Sequence, residues 1–344
     1  MKQLNMVIPG LLGPFANDMP AHIQQQLNKS DFKLVNKILS RSDMYSDQSG
    51  SKKNSSYYET LVQLINPECK QSLCQLTAEY DGVDISEGYF YRADPVHYKA
   101  ESDHAILIGT ELVLPESEEV EKLITCFNQH FAEDDLSLHS THEHRWYLKS
   151  NKPLKLEFNA LDYALGRDIK HFMPQGEDEI WWRKIVNEAQ MLFFSHEVNQ
   201  GREAKGEMTI NGLWLWDLRF DSDCTGTQIP RQLFADEVLA IALAKQAGVS
   251  VLATEEIDSV DSNSVLVLDQ LYESVCYGDV DVWLEDLKIF CEDKLKQVID
   301  LLASKKVDEV NIYPCNGQIF KINRMNLLKF WKKNKPLYKY MSSL

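Results

Sequence analysis

At 344 residues the chain is long enough for one large α/β domain or two ordinary ones. It carries 36 Lys and Arg against 52 Asp and Glu, a formal net charge of −16. That balance argues against broad binding to nucleic acid or to an anionic membrane, since both need cations to displace counterions. The cysteines number seven, are irregularly spaced and include no C-x-x-C, a usage that suits a reducing cytoplasm and argues against a structural zinc site.

Leu4–Ile8 reads as a short buried strand ended by Pro9-Gly10, not as the apolar run of a signal peptide. No apolar stretch approaches the length needed to span a bilayer, so the expectation is a soluble cytoplasmic protein. Ala21–Leu27 reads as helical, Ser46–Ser56 as a polar loop, and Tyr57–Ile65 and Lys70–Tyr80 as helices. Tyr89–Arg92 and Ala105–Ile108 read as strands, with an Asp-Pro turn between them. Glu116–Phe131 predicts an amphipathic helix with Val120, Leu123, Ile124 and Phe127 on one face. Leu136–Leu138 and Trp146–Leu148 suggest a hairpin, and Asp178–Phe194 a strong helix. The last third then alternates. Leu213–Trp216, Val249–Ala253, Val265–Leu268, Glu309–Tyr313 and Gln318–Ile322 read as strands. Gln232–Ala247, Val282–Ala303 and Met325–Lys332 read as helices. Such alternation implies an α/β fold with a mostly parallel sheet.

Four polar constellations stand out. Asp94, His97, Asp103 and His104 lie within eleven residues beside a strand end, and could bind a metal, form an acid–base pair, or simply build a turn. His142 and His144 would share one face of a strand, with His139 and Arg145 nearby; zinc would need further ligands, and a polar hairpin surface explains the same residues. Arg167 in Gly166-Arg167-Asp168 offers a planar fork to an anion or to its neighbour Asp168. The segment from Ser195 to Trp216 places His196, Asn199, Arg202 and Asn211 just before an aromatic strand. If the preceding helix runs on through Arg202, then Glu188, Ser195, Asn199 and Arg202 fall within an arc of about 60°. Gly201 and Gly206 loosen the chain there, which favours a cleft over a solvated face. Phosphate-loop, dinucleotide, nucleophile-elbow and zincin motifs are all absent from the sequence.

The stretch His196-Glu-Val-Asn199, Arg202 to Gly206 and Asn211 to Trp216 resembles the motif of the archaeal-type cofactor-independent phosphoglycerate mutases. The blocks Ile8–Pro14, Arg92–His97, Asp103–Leu107, Gly166–Asp168, Pro174–Gly176 and Pro314–Phe320 keep the order of a related bacterial group, the RpfE-type regulatory proteins. The resemblance implies an alkaline-phosphatase-like α/β fold: a mostly parallel central sheet with helices on both faces and an inserted region. It places the core in 1–110 and 205–344 and a peripheral α+β region in 111–204. The two-metal mutases of that superfamily use Asp and His ligands and a phosphorylated serine. Here the turn after the first strand has no carboxylate, and no His follows His196. The expectation is therefore a regulatory protein or pseudoenzyme with no cofactor and no bound metal. It would hold a small anion through His196, Asn199, Arg202, Asn211, Asp94, His97, Asp103, His104 and Arg167. Two alternatives stay open: an active phosphotransfer enzyme with rearranged ligands, and an interaction protein with a vestigial pocket.

Overall fold

The structure, a computed structural model, describes residues 2–15, 19–46, 57–220 and 228–340. Of the expected polar loop Ser46–Ser56, all but Ser46 lies outside the described residues, as does Cys224. In chain order the strands are β1 Gln3–Val7, β2 Asp43–Ser46, β3 Tyr89–Ala100, β4 Ala105–Ile108, β5 Leu136–His142, β6 Arg145–Ser150, β7 Leu156–Glu157, β8 Gln175–Gly176, β9 Gly212–Trp216, β10 Gln232–Phe234, β11 Ser250–Leu252, β12 Ser264–Val267, β13 Glu309–Tyr313 and β14 Gln318–Asn323. They fall into two compact units, Met1–Lys70 with Phe220–Leu344, and Gln71–Arg219.

The first unit is a mixed α/β layer structure around one sheet of order β11-β10-β12-β1-β13-β14-β2. The strands from β11 to β13 in that order are parallel, while β14 and β2 are antiparallel additions. Both faces of the parallel strands are covered, so they read as near-continuous apolar runs. On one face Leu4, Met6 and Ile8 join a core with Phe32, Ile38, Trp283, Phe290 and Leu302 from the flanking helices. On the other, Val7, Leu233 and Val265 are buried outside that cluster. Asn5 cannot be apolar filler. Its side-chain oxygen accepts from Asn311 on the neighbouring strand at 2.9 Å. Gly248 ends the helix Val238–Ala247 in the left-handed conformation, as its position predicts.

Three readings in this unit need correction. Gln232–Ala247 is not one helix: Gln232–Phe234 inserts between β11 and β12, and the helix begins only at Val238. The Glu237 carboxylate caps it by accepting from the N–H groups of Leu239 and Ala240. The long helix Val282–Ala303 is two, Val280–Glu292 and Lys294–Ala303, broken at Asp293. The final helix is a single turn, Arg324–Leu327.

The second unit is built on an antiparallel sheet of order β4-β3-β6-β5, with β9 also paired to β3. The unit starts well before residue 111 because β3 pairs with β4, β6 and β9, not with the parallel sheet. Likewise the expected Asp-Pro turn is absent. Asp94 and Pro95 lie inside the twelve-residue β3. Proline is tolerated because pairing to β6 stops at Arg92, leaving one edge of the strand open there. The amphipathic helix forms as Ser117–His130 and buries Val120, Leu123 and Phe127. The helix Glu179–Phe194 buries Trp182, Ile185, Val186, Ala189 and Phe193. It stops at Ser195, where a new helix, Glu197–Lys205, is capped by His196. The continuous helix through Arg202, and with it the polar arc, does not form.

Candidate functional site

The residues singled out in the sequence gather in the second unit, and most of them hold it together. β9 buries all five of its residues against β3. The carboxamide oxygen of Asn211 accepts from the Tyr98 N–H at 2.7 Å, and its amide donates to the Tyr98 carbonyl at 3.1 Å, extending the ladder by one residue. His97 Nδ1 contacts the Thr209 carbonyl and hydroxyl at 2.9 and 3.1 Å. The segments around Asp94–His104 and His196–Trp216 thus meet as adjacent strands.

Asp94 is 1% exposed. One carboxylate oxygen accepts from Arg92 Nη2 and Nε at 2.6 and 3.0 Å, and the other from the Trp216 indole at 2.7 Å. The Arg92 guanidinium lies over the rings of Tyr147 and Trp216. Burial works against its charge, but the Asp94 carboxylate overrides this and raises its pKa. This is a closed, internally satisfied ion pair.

Asn199 and Arg202 are equally committed. The Asn199 amide donates to the carbonyls of Phe193 and Ile210, both at 2.8 Å, and its oxygen accepts from the Ile210 N–H. Arg202 is 3% exposed. Its Nε donates to the Met208 carbonyl at 2.6 Å, Nη1 to Glu119 and Nη2 to the Val113 carbonyl. His196 Nδ1 accepts from the Val198 N–H as a helix cap. The expected anion pocket centred on Arg202 is therefore corrected: every guanidinium nitrogen is already used by the fold. Asp103, His104 and Arg167 remain at the surface. Asp103 pairs with His104 at 2.7 Å and raises its pKa. Arg167 lies over the Phe172 ring. Backbone bonds between Leu107 and the 166–167 turn bring these two stretches side by side.

The histidine hairpin is also rearranged. His142 ends β5, and His144 sits in the turn before β6, so the two do not share a strand face. His139, His142 and Glu143 form part of the wall of a groove of about 630 Å³, together with Ser117, Val120 and Ile124 from the helix Ser117–His130. Burial lowers the pKa of His139, with Lys149 adding to it, and of His142, with Arg145 adding to it.

Sequence reasoning missed a different cluster, in the first unit. In an α/β sheet, ligands collect beyond the carboxyl ends of the parallel strands. Two residues past the ends of β10, β12 and β13 stand Asp236, Asp269 and Cys315. The helix Tyr57–Ile65 adds Tyr57 and Thr60. Tyr57 is 4% exposed, and its hydroxyl has no hydrogen-bond partner among the described residues. Burial raises its pKa, and the nearby Glu237, Asp269 and Cys315 raise it further. Asp269 is reached by solvent, yet the protein around it desolvates the carboxyl and, with Asp236, raises its pKa. Burial pushes the Cys315 thiol up to about 12, against a hydrogen bond from Thr60. Asp236 accepts from the Thr254 hydroxyl at 2.6 Å. A shared offset from three parallel strands is the signal. It was hidden because Gln232–Phe234 read as helix.

The position matching Asp236 and Asp269 after β1 is Pro9, followed by Gly10. The Gly10 carbonyl accepts from the Trp283 indole at 2.9 Å. A Cβ at Gly10 would lie 2.7 Å from the Leu271 carbonyl oxygen, so the turn is filled by protein. Among the described residues no group of three or more His, Cys, Asp or Glu is placed to hold a metal ion. The described residues do not make up a two-metal set, which needs several ligands fixed at once.

Fold and site together define a mixed α/β protein with a mostly parallel central sheet and a candidate site at its carboxyl edge. The PH0037 protein from Pyrococcus horikoshii has a similar fold, at a TM-score of 0.51 and 14% identity over 94% of this chain and 87% of that one. A cofactor-independent phosphoglycerate mutase from Thermoplasma acidophilum aligns over 100% of this chain and 96% of that one, at 15% identity and a TM-score of 0.41. No family model and no curated protein matches the chain. Among the described residues no helix is long and apolar enough to cross a membrane.

Proposed function

We propose that the chain is a phosphoglycerate mutase-like protein that works by binding a small ligand, as a regulatory protein or pseudoenzyme, without turnover. The observation that carries this reading is the buried hydroxyl of Tyr57, unpartnered among the described residues, beside Glu237, Asp269 and Cys315. An orphaned buried donor costs free energy, and a ligand that completes it recovers that cost. Two of the surrounding groups, Glu237 and Asp269, are carboxylates, which favours a hydroxylated or amine-bearing ligand over a free anion. The filled turn at Pro9-Gly10 supports the loss of two-metal chemistry. The motif resemblance supports the family. The motif residues themselves contribute framework, because their polar atoms are used internally.

The test combines elemental analysis and a phosphoglycerate mutase assay with added manganese with thermal-shift titrations using glycerol, ethanolamine and 3-phosphoglycerate. The reading expects no turnover and a shift with glycerol or ethanolamine, since a ligand that binds only the native state raises its apparent stability. Tyr57→Phe should raise the melting temperature and abolish the ligand shift. Turnover with manganese, or a Tyr57→Phe protein that keeps the full shift, overturns it.

A further inference from the structure

The segment 324–340 reverses the character of the chain. It holds Arg324, Lys329, Lys332, Lys333, Lys335 and Lys339 and not one Asp or Glu, in a protein of net charge −16. Among these basic residues four large apolar side chains stand in water: Met325 is 71% exposed, Leu328 63%, Phe330 82% and Trp331 67%. The segment is nevertheless anchored. Asn326 is buried and donates to the Arg41 carbonyl and to Asp43, both at 3.0 Å, and Leu337 is fully buried in the core. Lys329 and Lys332 lie 3.3 and 3.7 Å from Asp43 and neutralise it. Arg324, Lys333, Lys335 and Lys339 are exposed and make no ion pair among the described residues.

We propose that this patch is a membrane-contact surface that docks on anionic lipid. Interfacial anchoring needs apolar side chains that enter the acyl boundary and cations that reach the headgroups around them. Phe330 and Trp331 form an adjacent pair with ring centroids 5.2 Å apart, and lysines flank them on both sides. Lysine stems can lie along apolar surface while their ammonium groups stay at the phosphates. The whole-chain charge, which argued against a membrane, does not decide this contact. Charges more than a Debye length away, about 8 Å at physiological salt, are largely screened, so the local positive field governs approach. Charge complementarity selects an anionic surface. Side chains that project this far suit a fluid bilayer, which needs no matching pocket.

The test is co-sedimentation of the full chain with vesicles of phosphatidylcholine alone and of equal parts phosphatidylcholine and phosphatidylglycerol, with light scattering of the free protein. We expect binding to the mixed vesicles only, weakened by high salt. Phe330→Ser/Trp331→Ser and Lys333→Glu/Lys335→Glu should each lower the partition on the order of tenfold, while leaving the circular dichroism unchanged because all four side chains are exposed. Absence of binding to the mixed vesicles overturns the proposal, as does binding that both variants retain. A concentration-dependent dimer lost in Phe330→Ser/Trp331→Ser, without vesicle binding, assigns the patch to a second copy and overturns it too.

Discussion

Arg202 donates from Nη1 to Glu119, a residue 83 positions earlier in the chain. Glu119 also accepts from the Glu116 N–H and so caps the helix Ser117–His130. One carboxylate thereby ties the helix Glu197–Lys205 to the start of another, and the Val113 and Met208 carbonyls complete the guanidinium. The basic residue at the centre of the family-like motif is a structural clamp.

Arg202→Ala should therefore destabilise the second unit by about 3–5 kcal/mol, the range for removing one partner of a buried pair. Arg202→Lys keeps the charge but loses the fork and should recover only part of that loss. Chemical denaturation checks both. A loss below about 0.5 kcal/mol for the alanine variant, typical of a surface site, would exclude the clamp.

Asp217 follows β9, accepts from the Cys74 N–H at 2.8 Å, and is pushed by burial from 3.8 to about 6. The folded state thus binds the proton more tightly than the unfolded chain. Stability falls as pH rises from 3.8 to about 6, and the penalty is fully present above that window. At two pKa units the penalty is about 3 kcal/mol near neutral pH. Asp217→Asn keeps an acceptor for Cys74 and should be more stable than wild type at pH 7, with the difference vanishing near pH 4. Paired melting curves across that range measure it, and parallel curves would exclude it.

His139 and His142 titrate the other way. Burial lowers both from 6.5, so the unfolded chain takes up protons first as pH falls below that value, and stability is lost in the same window. The double variant His139→Gln/His142→Gln should lose less of its melting temperature than wild type between pH 7 and pH 5. Equal losses would place the acid sensitivity elsewhere.

Two glycines near the motif have opposite roles. A Cβ at Gly212 would sit 2.1 Å from the ring of Tyr98, whose hydroxyl is bonded to the Leu213 carbonyl at 2.8 Å, so Gly212→Ala should cost at least about 1–3 kcal/mol. Gly201 lies within the helix Glu197–Lys205, and nothing lies within 4 Å of an added Cβ. Gly201→Ala should stabilise by about 0.5–1 kcal/mol through helix propensity and lost unfolded-state entropy. Urea denaturation of the two variants separates close packing from looseness at this site.

The sequence by itself determined most elements. Apolar periodicity acts over a few residues, so Ala21–Leu27, Tyr57–Ile65 and Glu309–Tyr313 were readable at their true bounds. It also determined that the last third alternates strand with helix, and hence the mixed α/β class. Only the tertiary structure decided what the polar residues do. A side chain carries no mark of whether its partner is a ligand or a carbonyl far along the chain, and Arg202 meets Val113 across 89 residues. The candidate site was hidden for the same reason. Asp236, Asp269 and Cys315 are remote in sequence and share the carboxyl edge of one sheet only because β10, β12 and β13 run parallel. Strand order is set by burial of both sheet faces, a property of the whole chain that no local window contains.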